Sequence, residues 1–167
     1  MVKGKANNRL EDVNEVLSKV CDPEIPVLTV ADMGILREVS LNEEAVHITI
    51  TPTYSGCPAM DTIEDDIRSA LENAGYGSIQ IETSLDPPWT TDWMTENGKQ
   101  KLREYGIAPP ENKSGDKRTL FGKTPVVKCP RCKSEETEVV SMFGSTACKA
   151  LYKCRSCQEP FDYFKCI

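Results

Sequence analysis

The chain has 167 residues, of which 39% are hydrophobic and 28% charged, with eight cysteines and a net charge of -6. That composition is that of a soluble globular protein with room for one ordinary domain and a small one; it excludes disorder throughout, and no apolar run reaches bilayer-spanning length. Residues 1–108 carry 9 Lys+Arg against 19 Asp+Glu, or -10, while residues 109–167 carry 11 against 7, or +4. The acidic front repels phosphate backbones, so proteins rather than nucleic acid are the expected partners.

The opening Met1-Val2-Lys3-Gly4-Lys5 has no apolar run behind it, so a cytoplasmic location is expected. Cysteines in that reducing compartment point to metal or redox chemistry rather than a disulfide framework. Residues 8–20 place Leu10, Val13, Leu17 and Val20 on one helical face, with Glu11, Asp12 and Glu15 near the start. The helix must stop at Cys21-Asp22-Pro23-Glu24-Ile25-Pro26, because each proline disfavours the helical region for its predecessor. Asp32-Met33-Gly34 is a turn into a strand over 35–41, and Val46 to Ile50 alternate as a second strand, giving an antiparallel hairpin.

After the loop Thr51 to Pro58, apolar residues Met60, Ile63, Ile67, Ala70, Leu71 and Ala74 recur at helical spacing. Pro58 suits a first helical position, which predicts Cys57 at or beside the N-cap, where orphan N–H groups favour a thiolate. Ile79, Ile81 and Thr83 form a third strand, parallel to the second because a crossover helix separates them. Pro87-Pro88-Trp89 ends this strand, a short polar helix over 95–105 follows, and residues 109–124 have a linker composition. The predicted domains are therefore 1–108, of order helix, strand, strand, helix, strand, and 125–167, a β ribbon, making the chain α+β.

The ribbon is organised by Cys129-Pro130-Arg131-Cys132 and Cys154-Arg155-Ser156-Cys157. Two residues between cysteines let both sulfurs of a tight turn face one ion, and two such knuckles complete a tetrahedral structural zinc site. A four-sulfur iron site is the alternative, and a pair of disulfides conflicts with the compartment. About forty residues cannot bury enough apolar surface alone, so the metal supplies most of the ribbon's folding free energy.

Elsewhere Cys57 is the candidate for a reactive or metal-binding thiol, against an inert space-filling one. Asp22 and Glu24 offer an oxygen ligand or a base, against turn capping. His47, the single histidine, belongs on the solvent face of its strand, and Trp89 and Trp93 serve packing or docking. Cys148 and Cys166 read as buried ribbon cysteines, with a second thiolate site as the alternative. No G-x-S-x-G, P-loop or G-x-G-x-x-G motif occurs.

Asp22-Pro23-Glu24-Ile25-Pro26, Asp32-Met33-Gly34, Thr53-x-x-Gly56-Cys57-Pro58 and Pro87-Pro88-Trp89 together resemble the SufT-like iron-sulfur assembly domain. Joined to a ribbon reading Phe143-Gly-Ser-Thr-Ala-Cys-Lys-Ala150 and Glu159-Pro-Phe-Asp-Tyr-Phe-Lys-Cys166, nearly the whole chain resembles the PaaD (PaaJ) accessory-subunit family of the phenylacetyl-CoA 1,2-epoxidase system. The resemblance implies a subunit that is not catalytic alone in phenylacetate degradation. It matures or delivers iron or iron-sulfur centres to the oxygenase or reductase, with Cys57 as transfer ligand, structural Zn2+ in the ribbon, and a homodimer as an open option. A docking or scaffold subunit and a thiol redox or nucleic-acid-binding ribbon are the competing readings.

Overall fold

The computed structural model describes residues 3–42, 45–110 and 126–165. The chain divides into two compact units, Met1–Trp89 and Thr90–Ile167.

The front unit is a three-stranded sheet covered by two helices. Helix α1 (Lys3–Leu17) buries Val13 and Leu17, and Val20 just beyond it is buried as well, as the helical spacing predicts. Strand β1 (Leu36–Leu41) pairs antiparallel with β2 (Val46–Ile50), and β2 pairs in parallel with β3 (Ile79–Thr83), in the order β1-β2-β3. Helix α2 (Met60–Asn73) makes the crossover, turning Met60, Ile63, Ile67 and Leu71 inward, and packs against α1 and β3. Along β2, Val46, Ile48 and Ile50 are buried while His47 and Thr49 face outward. His47 Nε2 lies 2.7 Å from Asn42 Nδ2, so the histidine is on the outer face, as expected.

The second unit begins earlier than the sequence boundary at 108. After a 3-10 turn at Thr91–Trp93, helix α3 (Glu96–Tyr105) is capped by Thr95, whose side chain accepts the Gly98 N–H, and is closed by Gly106 at φ +92°. Strand β4 (Ile107–Ala108) then pairs in parallel with β7 (Pro160–Phe164). That pairing draws residues 90–108 to the ribbon, in a sheet of order β4-β7-β6-β5, where β5 is Thr137–Ser141 and β6 is Lys149–Cys154. The three expected ribbon strands are present and β4 is a fourth that two apolar residues gave no periodicity to reveal. Residues 90–108 carry no net charge, 3 Lys+Arg against 3 Asp+Glu, so the -10 belongs wholly to residues 1–89. All but the first two residues of the 109–124 linker, and Cys166, lie outside the described residues.

The ribbon core is small: Ala108, Val127, Cys129, Ala150, Tyr152, Cys154 and Phe161, with Tyr163 against it. Tyr152 stacks on Phe161 at 6.0 Å between ring centroids and meets Tyr163 edge-on at 5.5 Å. Burial pushes the Tyr152 phenol above its usual range.

Candidate functional site

Two places in the molecule concentrate chemistry, one in each unit. In the ribbon, the sulfurs of Cys129, Cys132, Cys154 and Cys157 all lie within 4.8 Å of one another. The knuckles are built alike. The N–H of Cys129 donates to Ser134 O and that of Cys154 to Glu159 O, each at 2.9 Å and each closing a five-residue loop. The residue after the second cysteine takes a left-handed conformation in both, Lys133 at φ 63° and Gln158 at φ 65°. In both, the first cysteine is buried and the second exposed. Ser134 Oγ and Ser156 Oγ, 2.8 Å apart, tie one knuckle to the other.

The spacing between sulfurs identifies what they fit. A tetrahedron with Zn–S bonds of about 2.3 Å has S···S edges of about 3.8 Å. The pairs Cys129–Cys157 and Cys132–Cys154 are 3.8 Å and 3.5 Å apart. Charge makes the same point. The Cys157 N–H directed at its sulfur leads in holding Cys154 down to about 7. At Cys132 the Ser134 N–H favours the thiolate, but the neighbouring sulfurs and burial outweigh it and push the thiol up to about 12. At Cys157 the Glu159 N–H likewise favours the anion and is outweighed by burial and the sulfurs of Cys154 and Cys129. Four sulfurs this close hold four negative charges only around a cation. The donor set, the edge lengths and the two matched turns fit one tetrahedral metal ion.

The second place is one end of the front sheet. Because β2 and β3 run parallel and β1 runs against them, the segment entering β1 and the loops leaving β2 and β3 share that end. Hydrogen bonds lace them together: Thr51 N–H to Ile35 O at 2.9 Å, Ser84 N–H to Ile50 O at 2.9 Å, and Trp89 Nε1–H to Met33 O at 3.0 Å. Asp-Met-Gly, the cysteine loop and Pro-Pro-Trp, far apart in sequence, thus form one structure. Trp89 is buried and locks the turn before β1, a packing role for the indole.

Cys57 is half-buried and free in the loop after β2. Gly56 before it has φ +81°, with nothing within 4 Å of where a Cβ would stand, so the backbone angle and not crowding calls for glycine. The expected N-cap role needs correcting. Helix α2 begins at Met60 with Ala59 as N-cap, and Cys57 stands ahead of it, its carbonyl accepting the Met60 N–H at 3.3 Å in a tighter i to i+3 turn. Pro58 fits that turn, and the first α-type bond runs from Ile63 N–H to Ala59 O.

Asp22 is buried, and its Oδ1 accepts the N–H groups of Glu24 and Ile25 at 2.8 and 2.7 Å, which turns the chain through the two prolines. Glu24 is half-buried in the same turn. Cys21 and Asp22 line a cleft of about 400 Å³ with Lys19 and Asp66, and Cys57 is not among its lining residues. Among the described residues, only the four ribbon cysteines bring three or more metal-ligating side chains together. Cys148 is buried with its sulfur 3.1 Å from Thr146 Oγ1. Sequence reasoning missed the tie between Trp89 and Met33, since a side-chain to backbone bond across 56 residues has no local signal.

Comparison with known proteins covers both places. The family model described as iron-sulfur cluster assembly protein matches residues 10–83, and that described as PaaD zinc beta ribbon domain matches residues 113–165. A protein of Escherichia coli (strain K12), provisionally named as one of the subunits of 1,2-phenylacetyl-CoA epoxidase, is 50% identical over 159 residues, 95% of this chain and 94% of its own length. A protein of Porphyromonas gingivalis (strain ATCC BAA-308 / W83) named Fe-S protein maturation auxiliary factor is 36% identical over 94 residues, 55% of this chain and 89% of its own length. A crystal structure of a DUF59 domain from Bacillus anthracis superposes with a TM-score of 0.56 at 24% identity, over 60% of this chain and 96% of that one, which places the fold.

Proposed function

This chain belongs to the PaaD family of phenylacetyl-CoA epoxidase subunits, and we propose that it serves such a ring-oxygenase system by maturing or delivering iron or iron-sulfur centres to one of its components. The observation that carries the reading is the gathering of three distant motifs at one end of the front sheet around the half-buried thiol of Cys57. Parallel strands present ligands at their C-terminal ends, and β2 and β3 both end here.

Iron or a cluster is cargo in this reading. A single thiolate cannot complete its coordination, so the remaining ligands come from the client or from a second copy of the chain. Asp22 is a poor donor because its Oδ1 already holds two backbone N–H groups. Cys129, Cys132, Cys154 and Cys157 hold a zinc that builds the ribbon and takes no part in transfer. The family membership supports a cytoplasmic setting with the oxygenase and reductase as partners, and no described helix is long and apolar enough to cross a membrane.

Anaerobic reconstitution with iron and sulfide, followed by metal and sulfide analysis, tests the assignment. Wild type retains iron and Cys57→Ala does not, while both keep one zinc. Equal iron in the two proteins removes Cys57 from the mechanism. A second reading, a docking role without cargo, is favoured by the exposed Val140, Met142 and Phe143 beside β5, and in that case reconstitution loads neither protein.

A further inference from the structure

Within the second unit, the C-terminal part of α3 and the first knuckle enclose an open groove of about 1000 Å³. Arg103, Lys128, Arg131 and Lys133 line it against one carboxylate, Glu104, with the exposed ring of Tyr105 between them. Lys128 and Arg131 each keep a carboxylate at the rim, Glu135 at 3.6 Å and Glu159 at 3.2 Å. Arg103 and Lys133 have no ion pair among the described residues, and Glu104 accepts from Gln100 at 2.8 Å. The groove therefore has a positive field that its own carboxylate does not cancel.

The lining argues for the kind of ligand. Small-molecule sites bury their ligand behind mostly apolar walls with a few fixed polar groups. Here the cations stand out in solvent, with Arg131 and Lys128 side chains 68% and 48% exposed. No buried side-chain nitrogen or oxygen among the described residues lacks a partner, so no orphan group awaits a small anion. Arginine and tyrosine are residues that protein interfaces favour. Residues 111–125 of this chain carry 4 Lys+Arg against 2 Asp+Glu, so that stretch does not supply the complementary charge. The -10 of residues 1–89 opposes a nucleic acid on the same chain.

We propose that this groove docks an extended acidic segment of a protein partner, and that the ribbon metal governs docking because three of the four cations sit on or beside the first knuckle. The inference rests on the accessory-subunit reading for the existence of a partner, and it is independent of Cys57.

The test is fluorescence anisotropy on the full, zinc-loaded chain with a short labelled peptide of alternating Glu and Ser around a central Trp. Wild type binds in a salt-sensitive manner. Arg103→Glu with Lys133→Glu weakens binding at least about tenfold, with zinc content and circular dichroism unchanged, whereas Lys133→Arg and Lys153→Glu bind as wild type. Stripping the zinc abolishes binding. Equal binding by the double variant, binding that survives metal removal, full displacement by inorganic phosphate, or tighter binding of a single-stranded oligonucleotide each overturns the proposal. Cys57→Ala binds the peptide normally, so failure of the cargo role and failure of the groove are read separately.

Discussion

The two units of this chain solve the stability problem differently. Of the twelve largest fully buried side chains among the described residues, ten lie in the front unit and only Leu102 and Phe164 in the second. Of the seven exposed large hydrophobics, six lie in the second unit and one, Leu85, in the front. The front unit closes an apolar core between two helices and one face of its sheet, and burial at about 25 cal/mol per Å² carries it. The ribbon leaves its apolar residues outside and draws its strands together around four sulfurs, so its folding is metal binding. Neighbouring parts of one chain can thus obey unrelated stability rules, and perturbations should separate them.

The largest separation comes from the metal. Cys154→Ser, or chelation of the wild type, removes a contribution on the order of 10 kcal/mol; amide spectra of β5 to β7 collapse while those of β1 to β3 stay in place. Simultaneous loss of both sets would break the comparison. Next, Ile67→Ala empties a fully buried site on α2 and costs about 2–5 kcal/mol, read as a lower denaturation midpoint for the front unit alone, with zinc content unchanged. Trp89→Phe keeps most of the packing but strands Met33 O, for about 1–3 kcal/mol, again in the front unit. Thr95→Ala removes the α3 cap and costs about 1 kcal/mol, this time in the second unit.

The smallest effect is electrostatic. The hydrogen bond and charge of Lys19 hold the Glu15 carboxyl below the usual range. A lowered folded value means the pair helps above the ordinary carboxylate range and is lost as pH falls through the folded value. Glu15 is fully exposed, so Glu15→Gln leaves the denaturation midpoint unchanged within error at neutral pH.

How far the sequence was legible follows from the same contrast. Periodicity revealed α2 through Met60, Ile63, Ile67 and Leu71 and the hairpin through Val46, Ile48 and Ile50, because burial on one face imposes a repeat. The spacing of Cys129, Cys132, Cys154 and Cys157 revealed the metal site, because a tetrahedron tolerates few chain geometries. Strand β4 escaped because Ile107 and Ala108 are too few to show a period, and their pairing with β7 is a long-range choice. The start of α2 was displaced because proline at a first helical position and proline in a preceding 3-10 turn look the same in sequence. Asp22 offered either a ligand or a cap, and only the two N–H groups on its Oδ1 distinguish them.

The central claim, that the front unit handles iron through Cys57 while the ribbon is structural, is tested most directly in cells growing on phenylacetate. Cys57→Ala is expressed in place of the wild type, and the iron and sulfide content of the purified oxygenase and reductase is measured alongside the zinc content of the variant. The account predicts a folded variant with one zinc and a client component depleted of iron. A folded, zinc-loaded variant whose clients carry their full metal complement would contradict it.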